Sequence, residues 1–168
     1  MKSSKVSIYS DEGCFTPSKK FSAVIKKAVD AVLVSEEIDR ACAVSVTFVD
    51  GDTIVKLNRK YMGKSRVTDV LSFPALTDVS EASDADVIRI GSRKYLGLGD
   101  IVLYEKVIAR HAKDFGNTFE EETVYMVIHS VLHLLGYDHA EKEENAVMTA
   151  KQEKIFASLK EAGLFDKL

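Results

Sequence analysis

The chain of 168 residues has only two cysteines, Cys14 and Cys42, and their separation matches no metal-binding spacing. Two such residues cannot supply a disulfide framework or a four-cysteine zinc site. They are expected to be free thiols, as in a reducing cytoplasm. No apolar run approaches the ~18 residues of a transmembrane helix, so no membrane association is expected. Met1-Lys2-Ser3-Ser4-Lys5 is basic but lacks the apolar stretch of a signal peptide. A strong charge of either sign is missing too, the formal net charge being −3. That removes a global signal for nucleic acid and leaves room for a local basic patch. Internal repeats and compositional breaks are absent, so residues 1–168 are expected to form a single domain. That length can bury a core without covalent staples. Histidine is scarce as well, with four in the chain, yet His129, His133 and His139 fall in one short stretch.

That stretch runs from Val127 to His139 and spaces its histidines as H-x3-H-x5-H. Two histidines four residues apart on a helix sit one turn above each other and point the same way. Gly136 can end the helix in a left-handed turn, and the reversing chain can bring His139 back to the other two. The phase of the helix separates them from the core. At about 100° per residue, Val124, Val127, Ile128, Val131, Leu132 and Leu135 form one apolar stripe. His129 and His133 fall on the opposite side, on one line with Glu122 and Met126. They either face solvent or line a second cleft. Three neutral imidazoles around an open fourth position are the layout of a catalytic zinc site. Imidazole also suits nickel, copper and iron, but three histidines with an open position favour one Zn2+ per chain. Such an ion brings the pKa of a water in the open position toward about 7. His111 has no partner in view and reads as an ordinary helix histidine.

Taken in order, Lys5–Ser10 alternates as a first strand, and a helix opens at Pro17-Ser18 and runs to about Val34. Ala43–Asp50 is β-branched and alternating. Asp52 or Thr53 can cap a helix through about Tyr61. A basic loop, Met62–Arg66, leads into a strand over Thr68–Pro74 stopped by its proline. Thr77–Asp86 is acidic and polar and reads as a surface loop. Val87–Ile90 and Tyr95 onward can form a hairpin, and Leu98–Tyr104 is a further strand. Helices follow from about Glu105 to Phe115, from a Thr118 cap with Glu121 three residues on, and from Glu141 to Ala162. The pattern predicts an α+β fold of mixed layers. About four strands form a mixed sheet, with about five helices and the histidine helix packed on the sheet.

The spacing H-x3-H-x2-G-x2-H is also that of metzincin proteases, except that those carry a glutamate base directly after the first histidine. Here that residue is Ser130, which cannot take a proton from water at neutral pH with useful strength. A zinc protease-like hydrolase is therefore the weaker reading. The stretch His129-Ser130-x-x-His133-Leu134-Leu135-Gly136-Tyr137-Asp138-His139 resembles the metal motif of the YbeY family of bacterial endoribonucleases. Leu57-Asn58-x-x-Tyr61 with Thr68–Pro74 resembles that family's second motif, and Leu98-Gly99-Asp100-Ile101 its third. All three occur in the family's order. The resemblance implies a cytoplasmic, single-strand-specific, zinc-dependent endoribonuclease. It further implies action on precursor ribosomal RNA, including maturation of the small-subunit 3′ end, and on RNA of defective ribosomal particles. By the same resemblance His129, His133 and His139 are the metal ligands.

Two positions depart from the family pattern. Ser130 stands where the family usually has glycine, and Met62 where it usually has an arginine implicated in activity. A thioether cannot bind phosphate or offset charge that develops on it. Arg59 and Arg66 flank that position as candidate replacements or as solvated charges. The densest basic segment holds Lys56, Arg59, Lys60, Lys64 and Arg66. Lys60, Lys64 and Arg66 are the candidate contacts for an RNA backbone. Tyr61, Phe73 and Tyr137 are either core aromatics or platforms for unpaired bases. Asp138 can receive the second N–H of a ligating histidine or hold the turn. Asp100 can line the cleft or end a strand pair. Glu122 is a further candidate to support a ligand from behind. A metal-stabilised ribosome-binding factor with little nuclease activity is the alternative that Met62 favours.

Overall fold

A computed structural model describes residues 3–138, 140–166 and 168 of the chain. Its strands are β1 (Lys5–Ser10), β2 (Cys42–Phe48), β3 (Val70–Pro74), β4 (Val87–Ile90) and β5 (Arg93–Leu103). Its helices are α1 (Lys19–Ser35), α2 (Gly51–Met62), α3 (Glu105–Phe115), α4 (Phe119–Leu134) and α5 (Lys142–Glu161). One mixed sheet runs in the order β1-β2-β5-β3, with β4 paired to β5 as well. β1, β2 and β5 are parallel, whereas β3 and β4 run antiparallel to β5. This is the expected α+β fold. The fifth strand arises because the hairpin over residues 87–96 forms, so that β5 carries β4 on its first half and β3 on its second.

Side chains on alternate residues of a strand face opposite sides of the sheet. Val44, Val46, Phe48, Leu96, Leu98, Ile101 and Leu103 point toward α1, α4 and α5, with which they share the main core. Val102 and Leu71 point the other way and pack with Ile54 and Val49 under α2. Helix α4 is the centre of the main layer: it packs against α1, α3, α5, β3 and β5. It is buried on nearly all sides, including Ile128, Val131 and Leu132 at 0% exposure. Truncating Ile128 or Leu132 to alanine costs about 2–5 kcal/mol.

Two local features govern how the edge meets the site. The register of β2 on β5 shifts at Ala43/Val44, where Leu98 is the extra residue of a bulge. Gly99, which follows, has φ +130°, and a Cβ there would stand 2.1 Å from the Phe73 carbonyl oxygen. Only glycine lets β3 close on β5 at this point. Helix α2 starts earlier than its sequence suggests. Asp50 caps it by accepting from Thr53 N–H at 2.7 Å, in place of Asp52 or Thr53. Thr77–Asp86, expected as irregular surface loop, holds two single turns, Val79–Glu81 and Asp84–Asp86, capped by Asp78 and Ser83.

Among the described residues no helix is long and apolar enough to cross a membrane. Cys14 and Cys42 are free thiols, and burial pushes the Cys42 thiol up to about 11.

Candidate metal centre and its cleft

Both ends of α4 follow from local sequence. At the start, Thr118 Oγ1 accepts from Glu121 N–H at 3.1 Å while Glu121 Oε2 accepts from Thr118 N–H at 3.0 Å. This reciprocal pair satisfies two of the amides that a helix start leaves open. At the finish, Gly136 has φ +105°. Gly136 N–H donates to His133 O at 3.0 Å and Tyr137 N–H to Leu132 O at 3.1 Å. These two bonds are the pattern of a Schellman turn. The turn folds Tyr137 back so that its carbonyl oxygen lies 2.7 Å from His133 Nδ1.

A carbonyl oxygen only accepts, so His133 carries its proton on Nδ1. His129 is fixed by a longer chain of the same logic. The side-chain amide of Gln152 on α5 donates from Nε2 to the Tyr125 carbonyl at 3.2 Å. That sets the amide's orientation and turns Oε1 toward His129 Nδ1, 3.1 Å away. His129 therefore also carries its proton on Nδ1. Neutral imidazoles protonated there have their lone pairs on Nε2, and the two Nε2 atoms lie 3.1 Å apart. Two lone pairs at this separation repel, and a cation shared between them removes the repulsion. Two nitrogen ligands of a tetrahedral zinc, each at about 2.0–2.1 Å, stand about 3.3 Å apart. The donor set thus suits a divalent ion. Among the described residues no third histidine, cysteine or carboxylate joins this pair. His139, the third histidine of the motif, lies outside the described residues.

The pair opens on a cleft of about 760 Å³ that it shares with Met62, Lys64, Arg66, Thr68, Ser72 and Pro74, among others. The basic loop is held at the cleft by its backbone. Gly63, at φ +68°, ends α2, and buried Asn58 donates from Nδ2 to Arg66 O at 2.9 Å. Next to Asp138 the surface is acidic. Asp138, Glu143, Glu144 and Val147 line an adjoining hollow of about 530 Å³. The cleft thus holds Lys64 and Arg66 and meets the acidic hollow at Gly136, Tyr137 and Asp138.

The candidates divide accordingly. Lys64, Arg66 and Asp138 reach the cleft. Asp138 Oδ1 accepts from Ala140 N–H at 3.3 Å, which holds the turn. The Nδ1 partners of His129 and His133 are Gln152 and the Tyr137 carbonyl. Arg59 turns aside and donates from Nε to Ser65 Oγ at 3.0 Å. Lys60 lies over the Tyr61 ring, 5.0 Å from its centre. Neither lines the cleft. Glu122 shares the histidines' helical phase but sits two turns earlier, about 10 Å along the axis from His129. Its carboxylate accepts from Asn117 Nδ2 at 2.9 Å. Asp100 alternates with Ile101, so it faces the side of the sheet away from α4, where it is hydrogen-bonded to Ser45 Oγ. Tyr61 packs edge-on to Phe73 at 5.1 Å, and only Tyr137 of the three aromatics lines the cleft. His111 has a partner after all, Asp69 Oδ2 at 3.2 Å from its Nδ1. Gln152 was not among the candidates. Its one signal in the sequence is an amide on the buried stripe Met148, Gln152, Ile155, Phe156 of α5.

The chain is similar to known proteins along most of its length. The sequence profile described as Endoribonuclease YbeY matches residues 8–160. A protein named Endoribonuclease YbeY from Caldanaerobacter subterraneus subsp. tengcongensis is 39% identical over 137 residues, covering 82% of this chain and 86% of the relative. One of the same name from Clostridium botulinum is 38% identical over 149 residues, covering 84% and 89%. Among solved structures, the solution structure of TM1509 from Thermotoga maritima matches with a TM-score of 0.55 and 28% identity. It covers 95% of this chain and 94% of that one.

Proposed function

The chain belongs to the YbeY endoribonuclease family, and from that premise we propose that it is a metal-dependent endoribonuclease of single-stranded RNA. Its substrates are precursor ribosomal RNA, with the small-subunit 3′ end among the sites matured, and RNA of defective ribosomal particles in the cytoplasm. One observation carries this reading: the Nε2 atoms of His129 and His133 meet at 3.1 Å inside a cleft that also holds Lys64 and Arg66.

In this reading His129, His133 and, by the motif, His139 hold one Zn2+ per chain. Bound there, the ion supplies Lewis acidity to a phosphoryl oxygen or to water. The chain's own residues do the rest. Tyr137 O and Gln152 Oε1 keep the two imidazoles turned with their lone pairs inward. Lys64 and Arg66 bind the phosphates that flank the scissile one. Asp138, Glu143 and Glu144 repel the backbone from the adjoining hollow and so keep it near Lys64 and Arg66. Asn58 holds the Arg66 backbone, which keeps the basic loop in place. Peptide hydrolysis is the poorer fit. It needs a base beside His129, and the residue there is Ser130, at 0% exposure.

A second reading, a ribosome-binding factor with little nuclease activity, is favoured by Met62, which lines the cleft without a charge. The deciding experiment is cleavage of a defined single-stranded RNA by purified protein, with and without chelator, beside His133→Ala. Cleavage is expected to vanish with the metal and with the substitution. Undiminished cleavage by metal-free His133→Ala would overturn the metal reading. Tight binding to small-subunit particles with no cleavage would select the second reading.

A further inference from the structure

Helix α5 carries no part of the three motifs, yet it supplies the partner of one of the candidate ligands. Gln152 is 4% exposed on a stripe otherwise made of Met148, Ile155 and Phe156. An amide buried among apolar residues is costly unless both of its ends are bonded. Both are. The nitrogen donates to Tyr125 O, and the oxygen faces His129 Nδ1. Tyr125 lies four residues before His129 on α4, so the amide spans one helical turn between a backbone carbonyl and an imidazole. The next residue of α5 ties to the same place, with the Tyr125 hydroxyl donating to Glu153 Oε1 at 2.6 Å.

From this geometry we propose that Gln152 is a positioning residue of the metal centre, holding His129 in the tautomer whose Nε2 faces His133. The inference rests on the metal reading above for its functional meaning. An amide is the side chain that the position requires. It must donate to Tyr125 O and accept from His129 Nδ1 at once. An ionised carboxylate only accepts, and a leucine of similar volume does neither. If the acceptor is lost, the imidazole proton can move to Nε2 and block the ligating lone pair. Partners of this kind are typically worth about 10–100-fold in metal affinity.

The test compares wild type, Gln152→Leu and Gln152→Glu by three readouts: Zn2+ affinity by chelator competition, thermal stability, and the His129 tautomer by nitrogen NMR of the metal-free protein. Both substitutions remove the side-chain donor to Tyr125 O, so both are expected to lower stability. They are expected to part company in affinity. Gln152→Leu loses about 10–100-fold and shows a mixed tautomer. Gln152→Glu keeps an acceptor for His129, stays within about tenfold of wild type, and keeps the Nδ1-protonated form. Equal affinities in the two variants, or wild-type affinity in Gln152→Leu, would overturn the proposal and leave Gln152 a packing residue. If the wild-type protein itself takes up no zinc, the metal reading falls, and the tautomer comparison alone then decides whether Gln152 sets His129.

Discussion

The Tyr137 hydroxyl donates to Glu36 Oε2 at 2.6 Å, across 101 residues of sequence, while the carbonyl of the same tyrosine lies 2.7 Å from His133 Nδ1. One residue therefore ties the end of α1 to the histidine turn through its side chain and to a candidate ligand through its backbone. Tyr137→Phe removes the first tie and keeps the second. A hydrogen bond to a carboxylate contributes about 1.5–3 kcal/mol, and a loss of that order is expected in urea unfolding. Zinc uptake is expected to persist, because His133 is held by a carbonyl that the substitution leaves in place. Unchanged stability would mean that the Tyr137–Glu36 bond does not hold the turn.

Glu36 has a second partner. Lys151 Nζ reaches Glu36 Oε1 at 2.9 Å. This bond to Glu36, with the Tyr137 side chain close by, raises the Lys151 pKa above its ordinary 10.5. A raised amine stabilises the fold fully below its unfolded pKa and loses that contribution as the pH rises through the folded value. Wild type is therefore expected to lose stability above about pH 10.5 more steeply than Lys151→Met, with the gap between them closing as the pH climbs. Melting curves from pH 8 to 12 would show it. A gap that stays constant would remove the ion pair from the account.

Ser130 points inward on α4 with its hydroxyl buried and, among the described residues, without a hydrogen-bond partner. Such a group carries its desolvation penalty uncompensated, about 1–3 kcal/mol, and serine is also a poorer helix former than alanine. Ser130→Ala is expected to stabilise the protein by about 1–2 kcal/mol, which for a chain of this size raises Tm by roughly 2–8 °C. RNA cleavage is expected to be unaffected. A lower Tm would mean that the hydroxyl has a stabilising role.

Of the basic segment, Lys64 and Arg66 line the cleft while Arg59 and Lys60 are engaged elsewhere. Lys64→Ala and Arg66→Ala are each expected to weaken single-stranded RNA binding and to reduce the salt slope by about 0.7. Arg59→Ala and Lys60→Ala are expected to change both much less. Filter-binding titrations at several salt concentrations separate the two pairs. Equal effects from all four would mean that the backbone follows α2 and not the cleft.

Much of the layout is legible in the residues, because the signals are local. Periodicity marks α1 and α4, the Thr118–Glu121 pair marks a helix start, and Gly136 marks its end. The helical phase of His129 and His133 takes them off the core stripe, and the structure resolves their alternatives in favour of a cleft. What escapes is set by tertiary geometry. Phase places Glu122 beside the histidines, but rise along the axis carries it to the other end of α4 and to Asn117. Alternation in β5 turns Asp100 to the far face of the sheet. Asp50 continues an alternating strand pattern in sequence and yet caps α2. The Nδ1 partners are hidden for a different reason. A backbone carbonyl such as that of Tyr137 has no letter of its own, and Gln152 meets His129 only because α5 packs on α4.

The claim on which the rest depends is that the inward lone pairs of His129 and His133 hold one metal ion. Zinc-edge X-ray absorption on protein loaded with one equivalent of Zn2+ tests it directly. The expected spectrum has a nitrogen shell at about 2.0–2.1 Å with imidazole scattering, and that scattering is lost together with the bound zinc in the His129→Ala/His133→Ala double variant. An oxygen-only shell, or a double variant that keeps its equivalent of zinc, would contradict it.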